Sequence, residues 1–189
     1  WGNEDYGNTA GEGTVVAVID TGVDYNHEDL QDNIWTNSAE VSGQKGTDDD
    51  NNGYVDDVHG INLIDPNETP MDDHGHGTHV AGIISMENNN VGGVGIAYKS
   101  KIMPIKAGGS DGTFNSTDIA KGIEYAYKNG ADVINMSFGS SAHSALIENA
   151  LQDAFNSCVL VAAAGNDGIP TADCPLGGQN MYPASYSYV

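Results

Sequence analysis

Three imidazoles fall within six residues of this chain, at His74, His76 and His79. The run His76-Gly77-Thr78-His79-Val80-Ala81-Gly82 then passes into small apolar residues that predict a helix. Imidazole transfers protons near neutral pH and also binds metals, so either chemistry makes this stretch a candidate site. Asp20 is a second candidate, because it ends the apolar run Thr14-Val15-Val16-Ala17-Val18-Ile19 and precedes Thr21-Gly22, and open parallel sheets place their sites at such strand ends. Taken alone, Asp20 also fits a turn or a helix cap.

The elements around these residues decide what can meet. Residues 14–19, 58–64, 102–105, 133–136 and 159–164 read as strands, the first and last of them apolar without alternation, as strands covered on both faces are. Helices are expected from the histidine stretch, with His76 at the start, on through 80–86, and over 116–129 (with Gly130 as the stop) and 144–155. Pro104 suggests an edge or terminal position for its strand. Residues 1–13 are polar and glycine-rich, an arm. Strands alternating with helices predict an α/β fold with a largely parallel sheet. Asp20, the loop 108–114, Ser137-Phe138-Gly139 and Gly165-Asn166 all follow the carboxyl ends of such strands. They should gather along the one edge where these folds bind ligands.

Length and composition bound the answer. A chain of 189 residues supports one domain or most of one. No apolar run reaches the roughly 18 residues of a membrane span, and the absence of an initiator Met or leader before Trp1 fits a mature or excised segment. A net charge of -21, from 27 acids against 6 bases, argues against a nucleic-acid partner. Part of that acid sits in a polar insertion over 38–57, where Asp48, Asp50 and Asn52 alternate before Gly53. This is the start of an EF-type calcium loop, although its twelfth position is His59 rather than a bidentate Glu. Calcium and a solvated acidic loop both remain open. Two cysteines, Cys158 and Cys174, are too few for a disulfide framework, and whether they pair is open.

Three chemistries compete for the histidines. His74-x-His76-x-x-His79 is similar to the metal-binding stretch of metallo-β-lactamase-like hydrolases, but Thr78 stands where a further ligand Asp belongs, and no His-Glu-x-x-His occurs. Gly108-Gly109-Ser110-Asp111-Gly112 matches G-x-S-x-G literally, but that motif needs a strand turning directly into a helix, with Asp and His after the Ser. Asp20-Thr21-Gly22-Val23, His76-Gly77-Thr78-His79-Val80-Ala81-Gly82 and Ala162-Ala163-Ala164-Gly165-Asn166 together resemble signature blocks of the subtilisin-like serine proteases. They stand in that family's order, and Asp132-Val133-Ile134-Asn135-Met136-Ser137 is similar to another of its segments.

The resemblance implies a three-layer subtilisin-like α/β fold, with a mostly parallel central sheet flanked by helices, incomplete at the C-terminus, over residues 1–189. It implies a serine endopeptidase in which His76 is the general base, Asp20 orients it, Asn166 donates to the oxyanion, and His79 is structural. Gly112, Thr113, Phe114, Ser137, Phe138 and Gly139 would hold a polypeptide substrate as an extended strand. Ala163 and Gly165 would line the pocket for the residue before the cut, and Phe138 and Ile119 an outer apolar pocket. Calcium would be held by Asp29 and Asn89 side chains and by Glu87, Val91 and Gly93 carbonyls, with Asp48, Asp50 and Asn52 a second candidate site. The family's Gly-Thr-Ser-Met-Ala block, which carries the nucleophile, does not occur. The expectation is therefore a fragment, inactive alone, with exposed apolar surface, from a secreted enzyme that a propeptide or inhibitor could block. The alternative is a non-catalytic peptide-binding relative.

Overall fold

The computed structural model describes residues 10–166 and 180–189. Cys174, and the arm before residue 10, lie outside the described residues. Five strands, β1 (Val15–Asp20), β2 (Ile61–Asn62), β3 (Lys101–Lys106), β4 (Val133–Met136) and β5 (Val159–Ala162), form one sheet in the order β2-β3-β1-β4-β5. All pairings are parallel. The helices are α1 (Ser38–Ser42), α2 (His76–Ser85), α3 (Ser116–Lys128) and α4 (Ala145–Ala154).

β1 is the central strand, and its alternating side chains serve two cores. Ala17 and Ile19 point into one with Met103, Ile105, Ile123 and Leu151, under α3 and α4. Val16 and Val18 point into the other with Ile102 and Ala81, under α2. Burial on both faces is why the strand reads as an unbroken apolar run. The result is three layers, with α2 on one side of the sheet and α3 and α4 on the other.

The connections explain why α2 ends up alone. β2 to β3 through α2, and β3 to β4 through α3, step across the sheet in the same direction. Their helices cover opposite faces, so the two crossovers have opposite hands. Nearly all such connections are right-handed. This reversal puts the start of α2 beside the carboxyl end of β1, and the other loops reach the same edge from the opposite face.

Local signals set the helix ends. The Asn115 side chain accepts from Asp118 N to start α3, and Gly130 at φ 84° follows its last turn. Three expectations need correction. The strand expected over 58–64 pairs only through Ile61 and Asn62. The strand expected over 159–164 as covered on both faces is β5 at the end of the sheet, and its side chains alternate between exposed and buried. Pro104 lies on the second strand of the sheet, not the edge. Its backbone points the same way as that of Ile102, whose carbonyl accepts from Trp35 N on the side away from β1. Pro104 therefore faces a stretch that β2 has not yet reached, where the missing N–H breaks no ladder bond. On β5, Val159 is 62% and Val161 44% exposed, and Phe155 after α4 is 52% exposed.

Candidate active site

Asp20 closes β1 and is fully buried, while the His76 side chain at the start of α2 is 45% exposed. His76 Nδ1 donates to Asp20 Oδ1 at 2.7 Å. The same carboxylate oxygen accepts from Thr21 N at 2.7 Å. This fixes the imidazole tautomer: Nδ1 carries the proton, and the exposed Nε2 keeps its lone pair for a substrate-side proton. Removing Asp20 from water makes its charge count for more at His76 than it would at the surface.

The close approach depends on glycine. A Cβ on Gly77 would lie 2.0 Å from the carbonyl oxygen of Gly22 and 3.0 Å from Asp20 Cβ. Only a residue without a side chain lets the first turn of α2 touch the tip of β1. His79, one turn on, is exposed and lines a cavity of about 420 Å³ with Asp24, His27, Leu30 and Met86. Neither Asp20 nor His76 lines that cavity, and His79 is not buried as a helix support would be. The His74 ring lies against Gly112, where an added Cβ would be 3.1 Å from His74 Nε2. Its ring centre is 6.4 Å from that of His76. Among the described residues, the three imidazoles do not converge as a metal-ready group; the one such group is Glu40, Asp50 and Asp57.

The expected substrate segments flank the pair. Gly109 N donates to Thr113 O, Gly112 N donates to Gly109 O, and Gly108 bridges Phe114. Residues 108–114 therefore form a small turn-back loop, and Ser110 is not on a strand-to-helix elbow. The rings of Phe114 and Phe138 stack with centres 4.6 Å apart, joining this loop to the segment after β4. Ser137 Oγ accepts from Asn135 Nδ2 at 2.9 Å, and Gly139 lies against Met181. Beyond β5, Ala163 N donates to Met136 O. Ala163, Gly165 and Asn166 are all exposed at the same sheet edge.

The two expected calcium regions differ in character. Asp29 is 1% exposed, and its Oδ1 has no hydrogen-bond partner among the described residues. Its Oδ2 accepts from Gly93 N at 3.2 Å, and a Cβ on Gly92 would lie 2.4 Å from it, so the loop 87–93 wraps closely around this carboxylate. A buried, unpaired carboxylate oxygen is costly unless a cation meets it, so these residues fit calcium. In the insertion, oxygens of Glu40, Asp50 and Asp57 lie within 4.8 Å of one another, and Glu40 and Asp57 are buried. Asp48 is outside that group, because its carboxylate accepts from Asn52 N and Gly53 N. Asn52 reaches it through Nδ2, which donates to Asp50 and Asp57.

Sequence reasoning missed four residues here. Glu40 and Asp57 belong to the acidic group, and Asp57 could have been suspected from the Asp56-Asp57 pair that ends the insertion. Lys106, 4% exposed, stands opposite Asp20 in the β1–β3 register. Its Nζ donates to Thr21 O at 2.6 Å, Gly108 O at 3.2 Å and Asp73 Oδ1 at 2.5 Å. A lone lysine closing an apolar strand was the available signal. Asp72 was the fourth. Its carboxylate accepts from His74 N, Gly75 N and Thr78 N, and from the hydroxyls of Thr21 and Thr78. Burial alone would raise its pKa, but these hydrogen bonds outweigh burial and hold the carboxyl below its ordinary value. Cys158 is a free, buried thiol that donates to Ala131 O. Burial, and then the nearby Asp132 charge, push its pKa up.

A family model described as "Subtilase family" matches residues 11–189. "Subtilisin-like protease 1" of Plasmodium falciparum (isolate 3D7) is 44% identical over 140 residues, which is 74% of this chain and 20% of that protein. "Thermophilic serine proteinase" of Bacillus sp. (strain AK1) is 38% identical over 171 residues, covering 89% of this chain and 37% of the relative. "Subtilisin Savinase" of Lederbergia lenta is 36% identical over 178 residues, covering 94% of this chain and 54% of the relative. The chain thus spans between a fifth and about half the length of these relatives. With the match running over nearly all of its residues, and with its Asp-Thr-Gly, His-Gly-Thr and Gly-Asn segments on one sheet edge, the chain belongs to the subtilase family.

Proposed function

We propose that this chain is part of a serine endopeptidase that cleaves polypeptides through an acyl-enzyme. The observation that carries the reading is the pair itself: His76 Nδ1 at 2.7 Å from a carboxylate with no exposed surface, on a His76 side chain that is 45% exposed. In the proposed reaction, His76 Nε2 takes the proton from a serine hydroxyl as the oxygen attacks the scissile carbonyl. It returns that proton to the leaving amine. Asp20 keeps Nδ1 protonated and stabilises the imidazolium between the two steps. Asn166 donates its side-chain amide to the carbonyl oxygen as negative charge develops there, an interaction worth about 2.7–4 kcal/mol in the subtilisin from which the figure comes.

The substrate would lie extended between the 112–114 and 137–139 segments. Backbone groups would supply affinity, and alternate side chains would supply specificity. Ala163 and Gly165 would border the pocket before the cut, with the Phe114–Phe138 stack further along. No Gly-Thr-Ser-Met-Ala block occurs in the 189 residues. The nucleophile is therefore assigned to a part of the enzyme outside this chain, and the chain alone would not turn over peptides. An extracellular setting, and a propeptide or inhibitor as blocking partner, belong to the same reading.

Calcium would act structurally. Asp29 and Asn89, with carbonyls of the 87–93 loop (Glu87, Val91, Gly93), would hold one ion. Asp50, with Glu40, Asp57 and the neighbouring Asp48 and Asn52, would hold a second. Calcium supplies positive charge where carboxylates converge. The test is labelling of the full-length protein with a serine-directed phosphonate, alongside peptide hydrolysis. Labelling that His76→Ala abolishes supports the proposal. Peptide binding with neither labelling nor hydrolysis would replace it with a non-catalytic peptide-binding protein.

A further inference from the structure

α2 has an unusual start. Its N-cap is Gly75, at φ 100°, which has no side chain to accept from the amides of the first turn. Those amides have no partners within the helix and need acceptors from elsewhere. Two residues from outside the helix supply them. Gly77 N donates to Thr21 Oγ1 at 3.1 Å, and Thr78 N donates to Asp72 Oδ2 at 2.9 Å.

The two acceptors are themselves joined, since Thr21 Oγ1 donates to Asp72 Oδ1 at 2.9 Å. The same Oδ1 accepts from His74 N at 3.0 Å and Gly75 N at 2.9 Å, which shapes the chain just before His76. On the other oxygen, Thr78 Oγ1 donates at 2.6 Å while accepting from Asp24 N at 2.9 Å. One carboxylate therefore ties together the approach to α2, its first turn, and Thr21 at the tip of β1. A negative group at this position also matches the positive end of the helix dipole.

Thr21 directly follows Asp20, and His76 is the first residue of α2. The partners of the Asp20–His76 bond sit on two separate elements, and Asp72 bonds to both. We propose that Asp72 is a positioning residue for the reaction: it clamps the start of α2 to the tip of β1 and so holds His76 Nδ1 on Asp20. The alternative is a role confined to helix stability. This inference rests on the protease reading, but its central consequence is visible without turnover.

The experiment compares wild type with Asp72→Ala, Asp72→Asn and Thr21→Val in the full-length protein. It follows the low-field proton resonance of the His76–Asp20 bond, together with kcat and KM below the melting temperature of every variant. Asp72→Ala should broaden or abolish the resonance and lower kcat by about 10- to 100-fold with little change in KM, the signature of a misplaced base. Asp72→Asn keeps one acceptor oxygen for Thr21, His74 and Gly75 but cannot accept from Thr78 N, so its effect should be intermediate. Thr21→Val cuts Asp72 off from β1 while leaving its bonds to Thr78, and should reproduce the loss of resonance even if Asp72→Ala fails to fold. A folded Asp72→Ala or Thr21→Val with the wild-type resonance and kcat would overturn the inference. Absent hydrolysis by the wild type would instead count against the protease reading and leave the resonance comparison to decide on Asp72.

Discussion

Replacing Gly77 by Ala perturbs the point where helix and strand come closest. The new Cβ would stand 2.0 Å from Gly22 O, whereas ordinary contact begins near 3.4 Å. The two backbones must therefore separate by about 1.4 Å or twist by an equivalent amount. Asp20 Cβ, 3.0 Å from the same position, blocks the nearest sideways escape. The bonds that span this gap are His76 Nδ1 to Asp20 Oδ1 at 2.7 Å and Gly77 N to Thr21 Oγ1 at 3.1 Å, and neither survives such a displacement. Overpacking of this kind costs about 1–3 kcal/mol. At roughly 2–4 °C per kcal/mol for a domain of this size, melting should fall by about 2–12 °C. The effect on kcat should be larger in proportion, about 100-fold, because a displacement near 1 Å takes the base out of reach. Thermal unfolding and steady-state peptide hydrolysis by the full-length protein measure both. A Gly77→Ala variant with wild-type melting and wild-type kcat would refute the claim that this glycine sets the Asp20–His76 distance.

Other expectations follow from single contacts. Chelation of calcium should lower the melting temperature of the full-length protein by several degrees, since a ligand at about 100 times its Kd contributes about 2.7 kcal/mol. Asp29→Ala should remove a large part of that response, and an unchanged melting curve with chelator would count against both ion sites. Asp72 has a folded-state pKa below its ordinary value, so its stabilisation is present above about pH 4 and is lost as pH falls through the lowered value. An Asp72→Asn variant should accordingly show a flatter acid-unfolding profile, and an identical profile would contradict the assignment. Cys158, buried and with a raised pKa, should resist alkylation at pH 8 until denaturant is added; rapid labelling of the native protein would oppose its placement. Phe138→Ala removes one half of the stack with Phe114 and should raise KM for peptides carrying an apolar residue at the outer position, with kcat nearly unchanged.

How much of this was readable in the residues depends on the range of the interaction. β1 announced itself because a strand buried on both faces must be apolar throughout, and the end of α3 because Gly130 stops it, whereas β5 carries the same apolar run with one face exposed. The common edge of Asp20, residues 108–114, Ser137 and Asn166 followed from parallel topology alone. β2 was overestimated, since of residues 58–64 only Ile61 and Asn62 pair, with a turn before them and a bend after. Pro104 misled because a proline reports on which groups its own N–H would have faced, not on its strand's place in the sheet. Lys106 and Asp72 escaped for a different reason. Their partners, Thr21 and Asp73 for one and Thr21 and Thr78 for the other, converge only after β1, β3 and α2 have docked. Glu40 joins Asp50 and Asp57 in the same long-range way, and so the insertion looked like a one-loop site built on Asp48, Asp50 and Asn52.

All of the chemistry proposed here passes through the 2.7 Å bond between His76 and Asp20. Asp20→Asn keeps the size of the side chain but removes the charge and lets an amide face Nδ1, which favours the wrong tautomer. Measured on the full-length protein, peptide hydrolysis by this variant should show kcat reduced by about 10⁴, as in another serine protease whose triad Asp was changed in this way, with KM little altered. Hydrolysis within a few-fold of wild type would mean that His76 does not act as a base held by Asp20.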